Sequence, residues 1–144
     1  MKLDVGAIKQ IVLGALAVAG SVTAKLLGGW DTALQTLVLF MAVDYVTGVV
    51  VAAVFHRSGK SRGGTLDSRA GFLGLCRKGC MLLAVLVAAQ LDVLLGVDYA
   101  RTTVILFFVG NEGISILENL GLMGAPYPKF LADALEALQK PKEE

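Results

Sequence analysis

Charge is what this chain has least of. Only 17% of its 144 residues are Asp, Glu, Lys or Arg, against roughly a quarter in a soluble domain, which argues against a water-soluble fold. Histidine occurs once, at His56, and cysteine twice, at Cys76 and Cys80, four apart on an expected helix. Structural metal sites draw mainly on four such ligands, so no metal site is expected and the two thiols read as small packing residues. No nucleophile–base pair is visible either, and the chain is expected to be no enzyme and to need no cofactor. The formal net charge of +1 points to no particular partner, and no nucleic-acid partner is expected. No cleaved secretory signal is expected either, because the apolar run after Lys2 and Lys9 is followed by more apolar segments instead of a secreted domain.

Apolar residues are abundant. They make up 56% of the chain, and the mean hydropathy is +0.71. A bilayer core needs about 20 helical residues to cross it, and four stretches qualify: Ala7–Ala24, Ala33–Phe55, Gly79–Val97 and Thr102–Leu120. The fold class is therefore all-α, a polytopic membrane protein of about four spanning helices plus a short C-terminal amphipathic helix. Each Leu, Ile, Phe or Val at a span centre favours insertion by about 0.3–0.6 kcal/mol, and a charge there costs about 2.5–3.5. The dozen such residues of the second stretch outweigh its single Asp44. The fourth has ten but carries Asn111 and Glu112 near its middle, and the first has only seven. Both are marginal alone and are expected to need partner helices.

Arg57, Lys60, Arg62, Arg69, Arg77 and Lys78 crowd the second connection and are opposed there only by Asp67. The positive-inside rule makes that basic connection cytoplasmic. With four spans both termini are then cytoplasmic, in keeping with Lys2, Lys9, Lys129, Lys140 and Lys142. The connection contains "GKS" at Gly59–Ser61, but a phosphate-binding loop needs a glycine where Val54 stands, and no strand precedes it. After Pro126 and Pro128, residues Phe130, Leu131, Ala134, Leu135 and Leu138 recur at helical spacing. Residues 1–125 are thus expected to form a membrane domain. Residues 126–144 are expected to form a cytoplasmic amphipathic helix and charged tail, lying on the membrane, on another subunit or in water.

The polar residues inside the spans are ordered. On a helical wheel Asn111, Glu112, Ser115, Glu118 and Asn119 share one arc of the fourth span, so that face expects another helix or water. Asp44 lies at the centre of the second span with Thr47 and Gly48 on the same side. Ionisable residues at such depth usually face a bundle interior or an aqueous cavity; the alternative is a neutral carboxyl hydrogen-bonded to a neighbour. The first span offers small residues, with Gly14, Ala17, Gly20 and Ser21 prominent among them, which allow close helix packing within one subunit or between subunits.

"FMAVDYVTGVVVA" (Phe40–Ala52), the Gly/Ser-rich basic connection, "GFLGLCRKGCMLLAVLVAAQLD" (Gly71–Asp92) and "VGNEGISILENLGLMGAPYPKFLADALEAL" (Val109–Leu138) together resemble the toxin-secretion/phage-lysis holin family. The similarity runs over about Leu39 to Leu138, and the first span matches only as a generic apolar segment. The resemblance implies a protein of the bacterial cytoplasmic membrane that associates with itself in the lipid bilayer. It implies lesions that release an endolysin or a toxin, as cargo without specific binding. The positions it marks are Asp44, Gly48, Asn111, Glu112, Gly113, Ser115, Glu118 and Asn119. The competing reading is a small ion- or proton-coupled transporter using Asp44 and Glu112, although no internal repeat supports it. A third is a membrane scaffold that does not permeabilise.

Overall fold

The computed structural model describes residues 4–140, and among them every regular element is helical. Helix α1 spans Val5–Leu26, α2 Thr32–Val50, α3 Ser68–Leu95, α4 Ala100–Leu122 and α5 Lys129–Gln139. A wider π-helical turn, Val51–Phe55, prolongs α2 until His56 ends it in a left-handed conformation. The first four helices, of 22, 24, 28 and 23 residues counting that turn, are long and apolar enough to cross a membrane. At about 1.5 Å per residue each exceeds a hydrocarbon core of roughly 30 Å. The expected architecture of four spans and a short C-terminal helix is the one observed. Lys2 and Lys142 lie outside the described residues.

Carboxylates start all four long helices. The side chains of Asp4, Asp31 and Asp67 accept hydrogen bonds from Gly6, Leu34 and Arg69 in the first turns of α1, α2 and α3. Asp92, near the end of α3, accepts from the backbone N–H of Ala100 and of Arg101 and so caps α4 from a neighbouring helix. These caps satisfy donors that a helix N-terminus otherwise leaves open.

Helix α4 is the central element, packed against α2, α3 and α5. Leu34, Leu37, Val85 and Ile105 are fully buried where α2, α3 and α4 meet. Helix α1 stands apart. None of its residues is buried, and Ile11 and Leu16 remain 71% and 63% exposed. Such an apolar surface suits lipid or another subunit.

Two expectations change. Helix α3 begins at Ser68 instead of Gly79, so Arg69, Arg77 and Lys78 belong to a helix and not to the connection. Gly71, Gly74, Arg77 and Lys78 dilute the hydropathy of this stretch, yet Asp67 caps it and its inner face packs on the bundle. At about 1.5 Å per residue α3 is about 42 Å long, so it overruns the hydrocarbon core.

The second change concerns α5, which folds back along α4 of the same chain. A methyl group added at Gly113 would lie 2.6 Å from Leu135 Cδ2, and one at Gly110 would lie 2.6 Å from the Leu135 carbonyl and 3.3 Å from Leu138 Cβ. Glycine alone lets the two backbones come this close. Leu135 and Leu138 therefore sit level with the middle of α4. Asp133 and Glu136 are exposed on α5, as is Lys140 just past its end, and none makes an ion pair among the described residues. In lipid three such charges would cost about 8–10 kcal/mol, against about 1–2 gained from Phe130, Leu131, Leu135 and Leu138. These charges are far less costly in water than in lipid.

Candidate functional site

All of the polar arc of α4 but Glu118 faces the bundle interior or the cavity beside it. Glu112 accepts a hydrogen bond from the Lys78 ammonium of α3, which also donates to Asp44 Oδ2 of α2 at 2.7 Å. One cation thus joins two carboxylates from two other helices. All three side chains are deeply placed, with 11% of Lys78, 6% of Asp44 and 3% of Glu112 exposed. Burial makes the arrangement consequential: removing one partner of a buried pair typically costs about 3–5 kcal/mol, whereas an exposed pair contributes about 0–1.

Asn119 extends the network. Its Nδ2 donates to Thr47 Oγ1 at 2.9 Å and lies 3.2 Å from Asp44 Oδ1 and 3.3 Å from the Asp44 carbonyl. Thr47 Oγ1 in turn donates back to the Val43 carbonyl at 2.8 Å. Gly48 stands beside this group, 3.8 Å from Asn119 Nδ2 to a methyl added there, so its spacing is ordinary contact. No buried side-chain nitrogen or oxygen among the described residues lacks a partner.

Above the network lies a cavity of about 270 Å³, bounded by α2, α3, α4 and the connection between α2 and α3. That is large enough to admit water. Its lining includes the buried Asp44 and Glu112, the half-buried Lys78, Asn111 and Ser115, and the exposed Lys60 and Arg77. Lys60 reaches inward until its ammonium is 3.8 Å from Asp44 Oδ1, although 55% of that side chain stays exposed. Arg62 and Arg69 line a neighbouring surface recess. Arg57 donates to the Leu122 carbonyl at 3.4 Å, tying the connection to the end of α4.

The expected site residues therefore divide. Asp44, Thr47, Gly48, Asn111, Glu112, Ser115 and Asn119 come together around the network and the cavity. Lys78 joins them from α3 as the counter-ion. Glu118, on the same arc, is exposed near the end of α4 and takes no part. Gly113 points the other way, against Leu135. Gly14, Ala17, Gly20 and Ser21 remain exposed on α1, and a methyl added at Gly14 or Gly20 would meet nothing within 4 Å.

A second polar cluster closes the opposite end of the bundle. Arg101, only 8% exposed, donates to Asp31 at 2.6 and 3.2 Å, to the Gly29 carbonyl at 2.9 Å and to the Leu27 carbonyl. The guanidinium holds the Asp31 carboxyl below the usual range, with the Leu34 N–H adding to the effect and burial opposing it. Gly28, at φ +85°, lets Arg101 pass: a methyl there would lie 2.6 Å from its Cδ. Nothing in spacing pairs Asp31 with Arg101, but opposite charges in two connections on the same side were a usable signal.

Among the described residues no cluster of His, Cys, Asp and Glu could hold a metal ion. A family profile described as "Bacteriophage holin family" matches residues 21–140. An uncharacterised protein of Clostridium perfringens is 40% identical over 121 residues, covering 83% of this chain and 84% of the relative. An uncharacterised protein of Bacillus subtilis is 32% identical over 112 residues, covering 77% and 74%. A protein of Bacillus phage phi105 named "Probable holin" is 30% identical over 112 residues, covering 77% of both chains. No solved structure matches.

Proposed function

The chain belongs to the bacteriophage holin family, and from that premise we propose that it gathers in the bacterial cytoplasmic membrane, associates with itself and opens lesions. Through them an endolysin or a toxin leaves the cell without being bound. The action is a change of packing with no covalent chemistry. The observation that carries the reading is the division of surfaces between buried network and bare helix. Asp44, Glu112 and Asn119 are satisfied inside one subunit, so a single chain can enter the membrane. Helix α1 keeps an exposed small-residue face on which a second subunit can seat. The basic connection faces the cytoplasm in this reading, as do both termini.

Induced expression in a bacterium tests the proposal, with membrane potential and release of a cytoplasmic enzyme followed together. The potential should collapse and the enzyme should appear outside at a reproducible time. Harmless accumulation would refute it. One observation favours the transporter reading, namely the cavity that leads to Asp44 and Glu112. Substrate- or proton-dependent uptake in sealed vesicles, without enzyme release from cells, would decide for that alternative.

A further inference from the structure

The lesion reading needs a surface that faces water at membrane depth, and the polar arc of α4 does not supply it. Glu112 and Asn119 are turned inward and partnered by Lys78, Asp44 and Thr47, so exposing them means breaking a buried ion network. Helix α1 presents apolar and small residues. The cavity above Asp44 and Glu112 lies within one subunit; the exposed candidate is α5, which lies at mid-span on the glycine face of α4 with Asp133 and Glu136 exposed and Lys140 exposed just past its end.

We propose that α5 is the water-facing wall of the assembled lesion, docked on the Gly110–Gly113 face of α4 only where that side of the bundle is wet. The inference rests on the lesion-forming reading and deepens it. Two observations work together. Contact with Gly110 and Gly113 fixes the depth of α5, because the Leu135 carbonyl and side chain meet a surface that admits no Cβ. At that depth the charges of Asp133, Glu136 and Lys140 are far too unfavourable in lipid for the four strongly apolar residues of α5 to offset. A dispersed, lipid-bathed subunit therefore keeps α5 off α4, at the aqueous surface, and leaves the glycine face to lipid. Assembly brings water to that face, and α5 then enters with Leu135 against the glycines and Glu136 in the lumen. Docking and wetting are one event.

Thiol labelling reads the position of α5 directly. In a background of Cys76→Ala and Cys80→Ala, single cysteines are placed by Glu136→Cys and Leu135→Cys. Membrane sheets open on both faces and carrying the protein at lesion-forming density are treated with a charged maleimide that does not enter lipid. The Glu136→Cys chain is expected to react at least tenfold faster than the Leu135→Cys chain. Adding Gly113→Leu to the Leu135→Cys chain fills the notch and should raise its rate to within about twofold of the other. Equal, fast rates without that substitution mean that α5 is free in water and overturn the proposal. Equal, slow rates place α5 in lipid or dry protein and overturn it as well. Because the sheets are already open, the ratio does not depend on whether cells leak. Failure of the wild-type chain to release a cytoplasmic enzyme refutes the lesion-forming reading separately.

Discussion

Replacing Lys78 by methionine separates a buried network from a surface loop. Were Lys78 part of an exposed basic connection, as hydropathy places it, its removal would change stability by at most about 1 kcal/mol. In the structure its ammonium is the cation joining Asp44 and Glu112, with only 6% and 3% of those side chains exposed. Lys78→Met leaves two neighbouring buried carboxylates without their shared partner, and breaking one buried pair costs about 3–5 kcal/mol. For a chain of this size each kcal/mol shifts a thermal midpoint by about 2–4 °C, so a fall on the order of 10 °C is expected. The assay is thermal unfolding of the purified protein in a mild detergent, followed by circular dichroism. The triple variant Lys78→Met, Asp44→Asn, Glu112→Gln removes the stranded charges and should recover most of the loss, since a neutral replacement of a buried ion network is often tolerated. A midpoint for Lys78→Met within about 1 °C of wild type, equivalent to well under 1 kcal/mol, would refute the network as a structural element.

The other predictions address the clamp, the first helix and topology. Arg101 lowers the pKa of Asp31, so the Asp31 contribution is complete above the ordinary carboxylate range and is lost as pH falls through the lower folded value; detergent stability should drop below about pH 4. Arg101→Gln should flatten that part of the pH–stability curve, and an unchanged acid limb would contradict the assignment. Ala17→Leu with Gly20→Leu makes α1 more apolar but fills its small-residue face, so insertion should be at least as efficient while crosslinked oligomers and enzyme release are reduced or delayed. Normal release timing with unchanged crosslinking would make α1 a passive anchor. A cysteine at Ser61 should escape an impermeant thiol reagent in intact cells before any lysis, and labelling at that stage would invert the proposed topology.

Different parts of the molecule were legible in the sequence to different degrees, for physical reasons. Helices α2 and α4 could be read from unbroken apolar runs, and the inward arc of α4 from the helical spacing of Asn111, Glu112, Ser115 and Asn119. The start of α3 could not be read from hydropathy, because Arg77 and Lys78 look like loop charges until a buried acid is known to face them. Asp67 immediately before Ser68 was the available sign, as a carboxylate at a helix start. The amphipathic pattern of α5 was plain, yet its partner was not. A docking face made of Gly110 and Gly113 is defined by missing atoms, and a sequence pattern of side chains registers it only as a gap. The Arg101–Asp31 bond joins the first turn of α4 to the residue before α2, 70 residues apart, a pairing that local rules do not reach.

The two ends of the bundle are built unlike each other. At one, Arg101 fastens the α1–α2 turn to the start of α4, while Asp92 holds that start to the end of α3. At the other, α2 and α3 stand apart around a cavity of about 270 Å³, bridged at depth by Lys78 and spanned by the Gly/Ser-rich connection. The subunit is in effect a pair of forceps, riveted at the Arg101 end and sprung at the basic end. Any opening at the basic end has to break the Lys78 bridge to Asp44 and Glu112, while the other end stays joined through Arg101.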